Sequence, residues 1–445
     1  MRFNKYLFIE VGSLHKLYLF PFIMYIASLM FYGSNNVIVF LVSLLVYSLI
    51  AYFSESILHF LIESIIYSIP TSFLNILNGS YGLLPISWFN IFYLLLLLYI
   101  INDFLKNRKR LLSRSLLNRK VITSSIILTI LLLVSLFSSK LMNDALKQFL
   151  NMLLVLISFP LGFISGKMVK DEYINKTILV YSFTTLLSSI VVIIQFLIFH
   201  NFGLKLGNIA IYGSNRIAFG ISFTDFSFLS LYLTSGLAGL MTIYNKFNIN
   251  LLIRVFWFTL IFVASLITSA RTGIVAFVLI LVFHVITSIY NKTDKKLSIM
   301  IKYISLIVAI TLIFALMIYT VRPTEFLNDS GRMKLNIQAW NVFLENPLFG
   351  FGLGTNTYFV NYSTLPHNLV FQLLAQGGLI LTIPLLSWLF YLLYKSITAR
   401  YVTRYMYLLI LVGSMFIPDI FNSRMLSVII LISSMSIGFY EEKFS

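Results

Sequence analysis

The sequence predicts an all-α, polytopic membrane protein: one integral membrane domain over residues 1–445, with about 14 transmembrane helices and one large outer-face loop at about 321–367. Three observations predict it. Hydrophobic residues make up 59% of the 445 and charged residues only 11%, where a soluble domain carries roughly a quarter charged. Apolar runs recur from one end to the other, each long enough to cross a hydrocarbon core about 30 Å thick. Those runs are rich in Leu, Ile and Phe without alternation, so they read as helices that satisfy their own backbone rather than as barrel strands.

In order, the spans cover 17–32, 37–53, 57–76, 84–101, 121–138, 149–165, 178–199, 218–243, 252–269, 272–290, 299–320, 368–393, 405–420 and 424–440. No small-residue cleavage site follows the first, so it reads as a span and not a signal peptide. The third is interrupted by Glu63 and Pro70, and omitting it would invert every later loop. No internal repeat of the kind found in many secondary transporters is visible. Cysteine is absent, which excludes disulfides and thiolate metal sites.

Charge decides the topology. With both termini cytoplasmic, the inner loops hold 23 of the 32 Lys and Arg residues. These include Arg2, Lys5 and Lys16, the run from Lys106 to Lys120, Lys167 to Lys176, and Lys292 to Lys302. The outer face keeps nine: Lys140, Lys147, Lys205, Arg216, Arg271, Arg322, Arg332, Lys334 and Arg424. This is the positive-inside pattern, and it accounts for most of the net charge of +17 without nucleic acid as a partner. The basic run at 106–120 is a topology anchor near anionic lipid.

Three outer segments stand out: 200–217, the turn Ser269-Ala270-Arg271-Thr272-Gly273, and the 321–367 loop. The first delivers Arg216 to the head of the eighth span. Arginine's planar fork suits bidentate binding of phosphate oxygens. Arg216, Arg271 and Arg332 together would make a pocket for a diphosphate; singly, each reads equally well as an interfacial anchor. His367 follows Pro366 at the start of a span, where a helix N-terminus disfavours the imidazolium and suits a general base. By position alone, a capping or packing histidine is the stronger reading. Glu63 and His59 share a helix face inside the membrane, read equally as a local structural pair. Asp225, early in the eighth span, is open in the same way. The Gly350–Thr355 turn lacks the lysine and serine of a phosphate loop, so its glycines read as a tight turn. The outer carboxylates Asp144, Glu325, Asp329, Glu345 and Asp419 form no acidic metal motif, and no metal or cofactor is expected.

Ser330-Gly331-Arg332, Trp340, Asn346-Pro347-Leu348-Phe349-Gly350-Phe351-Gly352, His367-Asn368 and Gly377-Gly378 together resemble the Wzy/WaaL family. That family holds the O-antigen and capsule polymerases and the O-antigen ligases. The Ser269–Gly273 turn looks like its short arginine turn, and Arg216 like its other outer-loop arginine. The resemblance is densest from 265 to 378; after Arg216 the family often has Pro-Asn where this chain has Thr224-Asp225.

The resemblance implies a metal-independent, membrane-embedded glycosyltransferase of the inner membrane, working on its outer face. Donor and acceptor would be glycans on undecaprenyl diphosphate, with a chain-length regulator protein as a further candidate partner. It also implies roles: Arg216, Arg271 and Arg332 on the diphosphate, His367 as base, and Trp340 and Asn368 as loop or sugar contacts. A polymerase is the expected member, with an O-antigen ligase as the alternative within the family. A flippase for the same lipid-linked unit is the alternative from another class.

Overall fold

The computed structural model describes residues 20–33, 36–74, 86–106, 119–212, 216–244, 246–247, 249–290, 304, 331–354 and 365–444. The chain begins with α1 (Phe20–Met30), α2 (Asn36–Phe53), α3 (Ile57–Tyr67) and α4 (Trp88–Lys106). It continues with α5 (Arg119–Phe137), α6 (Met142–Met168) and α7 (Asp171–Phe202). A hairpin of β1 (Ile209–Tyr212) and β2 (Arg216–Phe219) follows, with Tyr212 paired to Arg216. Then come α8 (Phe226–Ile243), α9 (Leu251–Ile267) and α10 (Thr272–Tyr290). The last four are α11 (Arg332–Glu345), α12 (Leu369–Thr398), α13 (Arg404–Gly413) and α14 (Met425–Phe444).

Among the described residues, seven helices are long and apolar enough to cross a membrane: α2, α4, α5, α6, α7, α8 and α12. The protein is an all-α polytopic membrane protein, with β1 and β2, four residues each, the strands among the described residues. Several boundaries differ from those read in the sequence. The expected span 218–243 begins only at Phe226, because residues 216–219 pair in the hairpin. Arg216 therefore sits on β2 and not at the head of the helix. The helix of 57–76 stops at Tyr67 and passes through a 3-10 turn at Ile69–Thr71, where Pro70 cannot supply the next amide proton. The expected span 405–420 is helical only to Gly413. The span at 299–320, residue 304 apart, and the loop at 321–330 and 355–364 lie outside the described residues.

α8 is the axis of the bundle: 83% of its span is buried by other helices, against 28% for α2, α4 and α5, which turn their apolar sides to lipid. Hydroxyls join α7 to α8, with Tyr232 Oη donating to Thr184 Oγ1 at 2.8 Å and Ser182 Oγ to the Gly236 carbonyl at 2.9 Å. Between helices in lipid, polar contacts and close packing replace the hydrophobic effect as the cohesive force. The closest crossing is α6 on α14. A Cβ on Gly162 would lie 2.2 Å from the Leu431 carbonyl oxygen, and one on Gly166 would lie 2.1 Å from that of Met435. Gly162 and Gly166 are a small-xxx-small pair that lets two backbones touch.

The two ends of the bundle differ in charge. Lys167, Lys170, Lys176, Lys246, Arg400 and Arg404 gather at one end, around the α6–α7, α8–α9 and α12–α13 turns. There Lys176 pairs with Glu63 at 3.3 Å, while the His59 ring stacks on Tyr173 with centroids 3.6 Å apart. Glu63 and His59 are thus engaged by α7. The hairpin, the α9–α10 turn, α11 and the head of α12 lie at the other end. α7 alone, at 32 residues, spans about 48 Å from one end to the other.

Candidate functional site at the hairpin end

Two corners build the site. The first is made by the hairpin and the α9–α10 turn. Arg216 donates from Nε to Ser269 Oγ at 3.0 Å and from its Nη2 to the Ser269 carbonyl at 3.3 Å. Its guanidinium lies 4.4 Å over the Tyr212 ring, a cation–π contact with its cross-strand neighbour. Ser269 takes a left-handed backbone, φ 58°, and ends α9 so that Arg271 falls at the head of α10. α8 holds this turn from beneath: Ser230 Oγ donates to the Ala270 carbonyl at 3.2 Å, and Ala218, Phe226 and Ala270 form a small apolar cluster. Arg216 and Arg271 are brought to one corner by Ser269, a partner that sequence reasoning did not single out.

The second corner joins the first residue of α11 to the head of α12. Gly331, at φ 79°, turns the chain into α11 and makes Arg332 its first residue. Asn368 caps α12, its Oδ1 accepting from the amides of Val370 at 3.0 Å and Phe371 at 3.2 Å. Its oxygen thus serves the helix, at a residue for which the resemblance implied a loop or sugar contact. His367 sits one residue before this cap. Burial, then the Arg332 guanidinium, push its pKa below the usual 6.5, while the Asp225 carboxylate and the Leu365 backbone oppose the shift. Asp225 caps α8, accepting from the Ser227 amide at 2.6 Å. The head of α8 thus lies within electrostatic reach of His367. Trp340 lies on α11, its ring 5.1 Å from Phe343 and 6.4 Å from Phe371 of α12. It remains 43% exposed.

The Asn346–Gly354 segment holds the second corner in place. It does so as a docked irregular strand, which is more than a tight turn. α12 breaks at Gly378 (φ 56°, ψ −160°), freeing backbone groups that this segment takes up. Phe351 and Gly352 donate their amides to the carbonyls of Ala375 and Gln376, both at 2.9 Å. Leu379 and Ile380 donate to Pro347 and Leu348 at 2.8 and 3.1 Å. Non-helical backbone at membrane depth is tolerated where protein satisfies it, and here each side satisfies the other. A Cβ at Gly378 would lie 2.3 Å from the Leu348 oxygen, and one at Gly350 2.6 Å from the Gln376 backbone.

Beneath the segment lies a buried amide network. Gln148 of α6 and Gln376 of α12 exchange two hydrogen bonds of 2.9 Å, and the Gly354 amide donates to Gln148 Oε1 at 2.6 Å. Gln372 continues it by donating to Gln376 Oε1 at 3.3 Å and to Asp419 Oδ1 at 3.2 Å. The legible signal was two glutamines four residues apart within an apolar span.

Residues 255–386 match the family model described as O-antigen ligase. Over these residues the chain is similar to that family. The matched residues take in Arg271, Arg332, Trp340, the Asn346–Gly354 segment and His367, so they hold the whole second corner and the turn of the first. No curated protein matches the chain.

Proposed function

We propose that the protein is a polysaccharide polymerase, joining undecaprenyl-diphosphate-linked repeat units by inverting glycosyl transfer on the non-cytoplasmic face of the bacterial inner membrane. The observation that carries this reading is His367 at the head of α12 within electrostatic reach of Arg332 on α11 and of Asp225 at the head of α8. The O-antigen ligase family supports a transfer of lipid-linked glycan, and the basic residues at the opposite end of the bundle support placing the site outside.

In this mechanism an acceptor sugar hydroxyl attacks the anomeric carbon of the donor. The new C–O bond forms as the bond to the diphosphate oxygen breaks, with the configuration inverted. The hydroxyl proton passes to His367, whose imidazole is held neutral by burial and by Arg332, as a base requires. The leaving undecaprenyl diphosphate carries the developing charge. Arg216, Arg271 and Arg332 would hold it, the role for which fixed cationic donors in a site closed to water are most effective.

The description of the matched family keeps one other reading in play: a ligase that moves finished polymer onto a lipid A core. A deletion strain separates the two. Loss of a polymerase leaves single-repeat glycans on the cell surface, whereas loss of a ligase leaves full-length polymer on its lipid carrier. Single repeats are the result expected here, and stranded polymer would assign the ligase.

A further inference from the structure

Helix α11 has three faces where an ordinary surface helix has two. Ala339, Val342 and Phe343 turn inward, the first two packing on Leu365, Phe371 and Ala375 at the head of α12. Lys334, Asn341 and Glu345 make an exposed polar stripe. Between them runs a second apolar stripe that stays exposed, with Trp340 reaching Phe371 at its inner edge: Met333, Ile337, Trp340 and Leu344, at 63%, 52%, 43% and 57% exposure. The spacing i, i+4, i+7, i+11 puts all four on one line along the helix.

This stripe does not stop with the helix. Leu348 and Phe349 follow it, also exposed, in the segment that docks on the α12 break. There the Ile380 amide donates to the Leu348 carbonyl at 3.1 Å. Leu379 and Ile383 then carry exposed apolar surface down one side of α12, a helix long and apolar enough to span a bilayer. Exposed apolar residues therefore continue from a spanning helix, through the segment bonded to it, onto α11. A lid projecting into water would have no use for them, since contiguous exposed apolar surface marks a covered face. A polar stripe about 90° round from the apolar one is the signature of a helix lying in the membrane interface.

We propose that α11 lies in the plane of the leaflet at the hairpin end, with the Met333–Leu344 stripe among the upper acyl chains and the Lys334–Glu345 stripe among the headgroups. The occupant of the stripe is lipid. The placement is independent of the reaction assigned above. Its consequence is that Arg332, first residue of the helix, is held near headgroup-phosphate depth, where a membrane-borne anionic substrate reaches it without leaving the bilayer.

The chain has no cysteine, so site-directed labelling needs no background removed. Full-length variants Met333→Cys, Ile337→Cys and Leu344→Cys, with Lys334→Cys and Asn341→Cys as the polar set, would carry a nitroxide in phosphatidylethanolamine–phosphatidylglycerol liposomes. Collision with oxygen, which concentrates in the bilayer, is compared with collision with a water-soluble nickel chelate. The stripe positions are expected to be several-fold more accessible to oxygen than to the chelate, and the polar set the reverse. Chelate access at the stripe equal to that at Lys334→Cys would show a water-facing lid and overturn the proposal. Low access to both reagents would show the stripe covered by protein and overturn it equally. Quenching of Trp340 by brominated lipid, taken as the difference between the native protein and Trp340→Phe, gives a second reading without a label. Absence of such quenching would count against the placement.

Discussion

At the residue scale, His367 is governed by two neighbours of opposite sign, and this makes its chemistry testable. Its pKa lies below the usual 6.5 because burial and Arg332 disfavour the cation, with Asp225 pulling the other way. If the neutral ring is the base, glycosyl transfer persists below pH 6.5, and the acid limb of its pH–rate profile marks the imidazole. Asp225→Asn removes an influence that raises the pKa, so the limb moves further into acid. Arg332→Gln removes one that lowers it, so the limb of the residual activity moves toward neutral. Folding follows the same sign. The stability that His367 contributes is complete above the unfolded pKa and is lost as pH falls below 6.5, where the unfolded chain takes up its proton first.

Arg216 allows a second residue-level test, because its fork is committed to Ser269 and its face to Tyr212. Arg216→Lys keeps the charge and loses the geometry. Transfer should fall on the order of 10²-fold, as for loss of one fixed donor to a leaving group. Steady-state kinetics on reconstituted protein checks this; activity within a factor of two of native would show that charge alone suffices.

At the scale of elements, the Asn346–Gly354 segment and the broken α12 form one unit. Gly378→Ala would force a Cβ to within 2.3 Å of the Leu348 oxygen at a left-handed φ of 56°, costing about 1–3 kcal/mol. Gly331 also has a positive φ, 79°, but meets nothing within 4 Å. Gly331→Ala should therefore cost only the smaller backbone strain, about 1 kcal/mol. Thermal unfolding of the detergent-solubilised variants should show the larger drop for Gly378→Ala, and equal drops would deny the docking its role. The α6–α14 crossing gives a parallel case. Gly166→Val would drive a branched side chain into the Met435 backbone, and the expected result is loss of the folded protein on gel filtration.

At the scale of the whole molecule, most of the helical architecture was legible because a bilayer makes a blunt demand: roughly 20 apolar residues for each crossing. The α10 span was read at 272–290 and found there. What escaped the reading shares one cause, which is contact between segments distant in sequence. Nothing local in residues 216–219 announces a hairpin, and they read as the end of a loop and, from 218, the start of a helix until their pairing with 209–212 is known. The glycines from Gly350 to Gly354 read as a turn because their partners, Gln376 on α12 and Ser139 between α5 and α6, lie far off in sequence. In the site, Arg216, Arg271, Arg332 and His367 were named from chemistry and resemblance. Ser269 was named only as part of the arginine turn and not as the partner of Arg216, and Asp225, within electrostatic reach of His367, was left open. A capping aspartate looks the same in sequence whether or not a histidine lies across from it.

The same scale holds the central claim, that a base and an arginine from opposite sides of the Asn346–Gly354 segment act on one lipid-linked substrate. The measurement that tests it most directly is chain extension by purified protein in liposomes given undecaprenyl-diphosphate-linked repeat units, comparing the native chain with His367→Ala and Arg332→Ala. The native protein should build a ladder of polymer. Both variants, folded by gel filtration, should leave the repeats single. Extension by both variants at the native rate would contradict the account.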